Sequence, residues 1–262
     1  MNNYKTLARN ISIVFICLLL IPITTWLIDW HWQSGQRYGF FDHLLFIITE
    51  SGSAPYFALI TSLVLAIWLS MRCKLLKHHW VVIFLSVFLL QGTTQVIKST
   101  IKTLWEEPRP YMSYMVEKGV ELEPFYELSR KERGVVIQKT LVDDKTTPQW
   151  LEQHWQKETG YSFPSGHTMF AVMWAFIIVG FLTREKDSKT PLAMGIMILW
   201  AGLMMISRIR LGMHFPIDLF VSTLIGYPIA LFFFYFLAKR DTLIDGTFNK
   251  PAPKKQNVTQ KN

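Results

Sequence analysis

Apolar runs occupy positions 11–30, 43–71, 80–104, 163–183, 192–207 and 217–238, separated by short polar stretches and one long one. They reach or approach the ~20 residues that a helix needs to cross the hydrocarbon of a bilayer. In that solvent every backbone N–H and C=O must be paired inside the protein, which leaves helices or a closed barrel as spanning solutions. Continuous apolar runs of this length select helices. The sequence therefore predicts an all-α fold, a six-transmembrane-helix bundle. Pro22 and Pro228 mark places for kinks, and Gly52 and Pro55 a bend in the second run, whose first residues are expected to tilt or lie along the membrane surface. Trp26, Trp30 and Trp32 are of the type that settles at headgroup depth.

Charge supports this layout. Only 18% of positions are charged, against roughly a quarter in soluble domains. The formal net charge of +8 is no nucleic-acid footprint, because the basic residues gather between runs and no DNA- or RNA-reading motif is present. Lys5 and Arg9 precede the first run; Arg72, Lys74 and Lys77 join the second and third. Arg184, Lys186 and Lys189 join the fourth and fifth, and Lys239 and Arg240 follow the sixth. With six crossings all four groups share one side, so both termini are expected to be cytoplasmic. The opposite side receives 30–42 and the net acidic 105–162. Lys5 and Arg9 ahead of an apolar run resemble a signal peptide, but 10–28 lacks a small-x-small cleavage site, which favours a retained anchor. Cys17, inside the first run, and Cys73, in a basic loop, are expected neither to pair nor to bind metal.

The expected organisation is an integral membrane domain, 1–241, containing a periplasmic insertion at 106–162, and a flexible cytoplasmic tail, 242–262, rich in Pro, Lys, Gln and Asn. Within the insertion, 125–133 and 147–157 are helix-compatible, with Pro124 and Pro148 near their starts. The segment is too short for a large core of its own, so it should pack as a small, helical cap beside the membrane domain.

Three polar sets interrupt the apolar pattern: Lys102 with Arg109-Pro110, Pro164-Ser165-Gly166-His167, and Ser207-Arg208 with His214 and Asp218. Charged groups near hydrocarbon are costly unless they meet water, a ligand or each other. Six crossings bring all three sets to the non-cytoplasmic face, whereas five or seven would split them. His214 and Asp218, four apart at a helix start, share a face. The carboxylate can take the proton of one imidazole nitrogen and leave the other free as a nucleophile. His167 stands at the start of the fourth run, where first-turn N–H groups favour anions and a protonated imidazole can serve as general acid. Gly166 permits close backbone approach, and Ser165 adds a hydroxyl. Lys102, Arg109 and Arg208 supply positive charge for phosphate oxygens. Taken singly, such residues are ordinarily interfacial, and Lys98 is expected simply to snorkel. Arg210 is expected to be structural, with a lipid headgroup or second phosphate as its alternative partner. Glu106 and Glu107 are given no chemistry. Two histidines and an aspartate would also suit zinc, but the surrounding cations oppose a metal, and Asp218 already has a histidine to orient.

These residues resemble the three-part signature of the type 2 phosphatidic acid phosphatase superfamily, K-x6-RP, PSGH and SR-x5-H-x3-D, with every defining position matched. The resemblance implies metal-independent and cofactor-free removal of phosphate from membrane lipids through a phosphohistidine. It makes His214 the nucleophile, Asp218 its partner and His167 the acid, with Lys102, Arg109, Ser165, Gly166 and Arg208 holding the phosphate. The six runs, the long external segment and the stretch His154-Trp155-Gln156-Lys157-Glu158-Thr159-Gly160 resemble the bacterial branch that acts on phosphatidylglycerophosphate, and on undecaprenyl diphosphate and other lipid phosphates. That branch implies the inner membrane, with the site facing the periplasm. A phosphotransferase would use the same residues with another acceptor; a transporter or scaffold would need none of them.

Overall fold

A computed structural model of the protein describes residues 2–73, 79–185 and 187–248. Among them lie eleven helices: α1 (Asn2–Leu27), α2 (Phe40–Glu50), α3 (Tyr56–Arg72), α4 (His79–Leu104), α5 (Met112–Glu117), α6 (Leu122–Glu127), α7 (Arg130–Thr140), α8 (Gln149–Lys157), α9 (Gly166–Leu182), α10 (Thr190–Arg210) and α11 (Pro216–Phe248). The basic positions Lys74, Lys77 and Lys186 and the tail 249–262 lie outside the described residues, while 242–248 continue α11. Cys17 and Cys73 are both free.

Among the described residues four helices are long and apolar enough to cross a membrane: Tyr4–Leu27, Trp80–Leu104, Thr190–Arg210 and Pro216–Arg240. This corrects the expectation of six transmembrane helices. The apolar helices α3 and α9 have 17 residues each, about 25 Å at 1.5 Å per residue. The second run is not one helix. It breaks at 51–55, where Gly52 N–H bonds Thr49 O at 3.0 Å and the Thr61 hydroxyl reaches back to Ser51 O at 2.7 Å. Pro55, without an N–H, ends the ladder from α2.

α9 is the centre of the bundle and packs on α10, α11, α1 and α4. Every residue from His167 to Leu182 is buried, as a helix apolar all round requires. The outer helices turn Ile13, Leu59, Phe88, Leu199 and Phe232 outward. An apolar surface of that extent belongs against lipid rather than water, and the chain is a multi-pass membrane protein. Some inward polar groups pair across helices: Asn10 Nδ2 donates to Thr183 Oγ1 at 3.1 Å, and the Ser12 and Tyr227 hydroxyls meet at 2.7 Å.

Helices α5 to α8 form the insertion around Tyr111, Met115, Phe125, Ile137, Leu151 and Trp155. The expected helix at 125–133 is two helices. Ser129 caps α7, accepting from Glu132 N while the Glu132 carboxylate accepts from Ser129 N, a box that starts a new helix. This core also takes in Trp32, Leu211 and Met213. Burial of a large apolar side chain is worth roughly 1.5–3 kcal/mol, so the insertion is fastened to the loop between α10 and α11.

Candidate active site

That loop begins as a helix end. Leu211 caps α10, and Gly212 follows with φ +72°, the left-handed position that closes many helices. Met213 N–H and His214 N–H both turn back onto Arg208 O, at 3.0 and 3.1 Å. The turn explains the fixed spacing between Arg208 and His214: one residue's carbonyl holds the backbone of the other. A side chain at Gly212 would be strained, and its Cβ would come within 2.9 Å of the Trp32 indole. Trp155 Nε1 donates to Leu211 O at 3.0 Å, and Tyr111 N–H donates to Gly212 O at 2.9 Å. The insertion thus holds the loop from above.

His214 is buried, and its Nδ1 lies 2.9 Å from Asp218 Oδ2. The same oxygen accepts from Phe215 N at 3.0 Å. A carboxylate facing Nδ1 accepts the Nδ1–H hydrogen bond, which keeps the proton on Nδ1 and leaves Nε2 with its lone pair. Burial, followed by the cations of Arg109, Arg208 and Lys102, holds the His214 imidazole well below its usual range, so it is neutral near pH 7.

His167 is the second residue of α9, behind the Ser165 cap, whose hydroxyl accepts from Thr168 N at 3.3 Å. Ser165 is therefore partly committed to holding the helix start. Gly166 leaves space that Lys98 fills: a Cβ there would meet Lys98 Cδ at 2.8 Å. Lys98 does not snorkel as expected; it lies half-buried against α9, with Nζ 2.5 Å from Gln95 Oε1.

The cations converge. Arg109 Nε donates to Gly160 O at 2.7 Å and Nη1 to Met213 O at 3.3 Å. Lys102 Nζ donates to Tyr161 O and to Ser162 O. Arg208 is fully buried, with Nε and Nη2 lacking hydrogen-bond partners. What Arg109 and Arg208 converge on is a carboxylate that sequence reasoning missed. Glu158 Oε2 lies 2.8 Å from Arg109 Nη2 and 3.8 Å from Arg208 Nη2; its Oε1 lies 3.9 Å from His167 Nε2. Burial pushes this carboxyl up, but Arg109, His167 and Arg208 outweigh it and hold it well below the carboxylate range. An anion of the protein itself occupies the centre of the cationic pocket.

Arg210 is structural, as expected. It pairs with Asp42 at 2.6 Å and binds Gln36 Oε1 at 2.5 Å and Arg37 O at 2.8 Å. A second set of polar residues was not foreseen. Arg208 Nη1 reaches Thr49 Oγ1 at 2.9 Å and His154 Nε2 at 3.1 Å, and His154 Nδ1 meets Glu50 Oε1 at 3.0 Å. The one signal for His154 and Glu158 was their four-residue spacing at the end of α8. Among the described residues, no cluster of three or more His, Cys, Asp or Glu side chains is placed to hold a metal ion.

A helical membrane bundle with a histidine–carboxylate pair inside a ring of cations defines a class of phosphate-transferring membrane enzymes. Residues 80–242 match the model of the PAP2 superfamily, and the chain belongs to that family; it is a hydrolase of the PAP2 type. Its relatives include the phosphatidylglycerophosphatase B of Haemophilus influenzae, 37% identical over 88% of this chain and 97% of the relative. Those of Escherichia coli K12 and Shigella flexneri are each 35% identical over 98% of both chains.

Proposed function

We propose that the protein is a metal-independent lipid phosphate phosphatase that works through a phosphohistidine on His214. The observation that carries this reading is the convergence of Arg109, Arg208 and His167 on one carboxylate, beside a neutral His214 backed by Asp218. A phosphate displaces Glu158 and takes over its donors, which stabilise charge on the phosphoryl oxygens. Lys102, Ser165 and the first-turn N–H of Gly166 complete the cradle. His214 Nε2 attacks phosphorus, and the P–O bond to the lipid breaks. Protonated His167 gives its Nε2 proton to the departing alkoxide and is left neutral, with its remaining proton on Nδ1. Water then attacks the phosphohistidine, with neutral His167 as the base, and phosphate leaves.

The substrate class is a membrane lipid carrying a terminal phosphate. Phosphatidylglycerophosphate is favoured by the relatives' printed name, with undecaprenyl diphosphate and other lipid phosphates as further substrates. The reading takes six crossings, α1, α2 with α3, α4, α9, α10 and α11, of which four are long and apolar enough by themselves. That count would put both termini in the cytoplasm and the pocket at the periplasmic face of a bacterial inner membrane, with the domain at 1–241 and the remainder as tail. Transfer to a second lipid would use the same intermediate and leave little free phosphate.

The test is release of inorganic phosphate from phosphatidylglycerophosphate in detergent micelles with excess EDTA, together with chemical trapping of an acid-labile, base-stable phosphoprotein. Wild type should turn over unimpaired, and His214→Ala should lose turnover and phosphoprotein together. Appreciable activity in His214→Ala, or loss of wild-type activity in EDTA, would overturn the mechanism.

A further inference from the structure

The break between α2 and α3 lies against His167. Gly52 brings the backbone so near that a Cβ there would meet the His167 ring at 3.3 Å and the Met204 methyl at 2.9 Å. The neighbouring Ser53 hydroxyl lies 3.3 Å from His167 Nε2 and 3.3 Å from Glu50 Oε1. Glu50 in turn meets His154 Nδ1, and His154 Nε2 meets Arg208 Nη1. One chain of hydrogen bonds therefore runs His167–Ser53–Glu50–His154–Arg208, across α9, the 51–55 turn, α2, α8 and α10.

Its proton directions follow from its one carboxylate and one guanidinium. Arg208 can only donate, so His154 Nε2 accepts; Glu50 accepts, so His154 Nδ1 carries the proton. That is a neutral imidazole, in keeping with the burial that lowers the His154 pKa, against the Glu50 bond and alongside Arg208. At the other end the Ser53 hydroxyl gives its proton to Glu50 Oε1, or to Thr49 O at 3.4 Å. Either way its lone pair faces His167, and the Nε2–H of a protonated ring is the hydrogen that fits it. Nε2 is also the nitrogen that faces the Glu158 carboxylate, and hence the phosphate site.

We propose that Ser53 and Glu50 are positioning residues for the reaction: they orient the ring of protonated His167 so that its Nε2–H stands at the leaving group, and through His154 tie that ring to the orientation of Arg208. Neither touches the phosphate. The pair makes the acid and the phosphate-binding guanidinium one unit, so that a substrate seated on Arg208 finds the proton already aimed. The inference rests on the assignment of His167 as general acid and deepens it.

The test uses leaving groups of different need. A short-chain phosphatidate leaves as an alkoxide and requires a proton, whereas p-nitrophenyl phosphate leaves as a stable phenolate and does not. The full-length protein in detergent micelles is assayed on both. Ser53→Ala should lower kcat on phosphatidate on the order of tenfold, the worth of one hydrogen bond to a buried partner, and leave aryl phosphate turnover within about twofold. Ser53→Thr, which keeps the hydroxyl, should restore the alkyl rate. Glu50→Gln, which weakens both links without changing shape, should show the same selectivity if Ser53→Ala does not fold. Equal losses on both substrates, or none, would sink the proposal. His167→Ala separates the two levels: selective loss there with no selectivity at Ser53 or Glu50 ends this inference alone. Equal loss on both substrates in the rate of phosphoprotein formation by His167→Ala, the half-reaction that precedes its role as base, ends the acid assignment as well.

Discussion

Replacing Glu158 by Gln asks whether phosphate and the protein's own carboxylate compete for the same donors. The Arg109–Glu158 contact of 2.8 Å is a charge-assisted bond, of a kind worth about 1.5–3 kcal/mol, against about 0.5–1.5 kcal/mol for a neutral amide in the same place. A phosphate that must break the first bond therefore gains roughly 1–1.5 kcal/mol when it has only the second to break, close to a tenfold change in affinity. Removal of like charge beside the incoming anion acts in the same direction. Glu158 has somewhere to go, since its side chain is 24% exposed. The assay is competitive inhibition by inorganic phosphate and by vanadate at fixed pH and salt, supported by the rise of Tm with added phosphate. Glu158→Gln should lower both inhibition constants about tenfold. Unchanged or weaker inhibition would refute the idea that Glu158 stands in the anion site, and would make it a support for Arg109 instead.

Three further outcomes are expected. His154 and His214 are both buried with folded pKa values below the usual ~6.5 of the unfolded chain. Between those depressed values and ~6.5 the unfolded state binds more protons, so their contribution is intact above ~6.5 and is lost as pH falls; denaturation profiles in micelles should show this, and His154→Gln should flatten it. By the same shift, the acidic limb of kcat/KM assigned to His214 should lie below pH 6.5, and a limb above that value would contradict a neutral nucleophile. Gly212→Ala places a side chain at positive φ against the Trp32 ring, which should cost about 1–3 kcal/mol and lower Tm together with activity. A Tm within a degree of wild type would show that the loop tolerates another turn.

The helical bundle and the three polar sets were legible because both are written locally. A 20-residue apolar run declares a helix by itself, and His214 with Asp218, or Ser165 with His167, are neighbours along the chain. The break at 51–55 was half visible, in Gly52 and Pro55, but its purpose was not, because Ser53 meets His167 across 114 positions. Glu158, His154 and Glu50 were missed for the same reason. A Glu in a net acidic insertion looks solvated until the fold lays it on Arg109, 49 positions away. The division of 125–133 could have been found, since Ser129 and Glu132 spell a helix start inside the segment taken as one helix. Lys98 was misjudged because snorkelling is the ordinary fate of an interfacial lysine, and nothing in its own sequence showed the gap at Gly166.

α9 has neighbours on all sides and no face turned to lipid. A helix of 17 residues in contact with acyl chains would have to thin the bilayer or be pulled upon by it; sheathed by its partners, it feels neither. Swelling or shrinking of the surrounding hydrocarbon is taken up by the tilt of the outer helices, while the imidazole at the top of the inner one keeps its height. The bundle therefore gives its chemistry a fixed mast in a medium of changing depth.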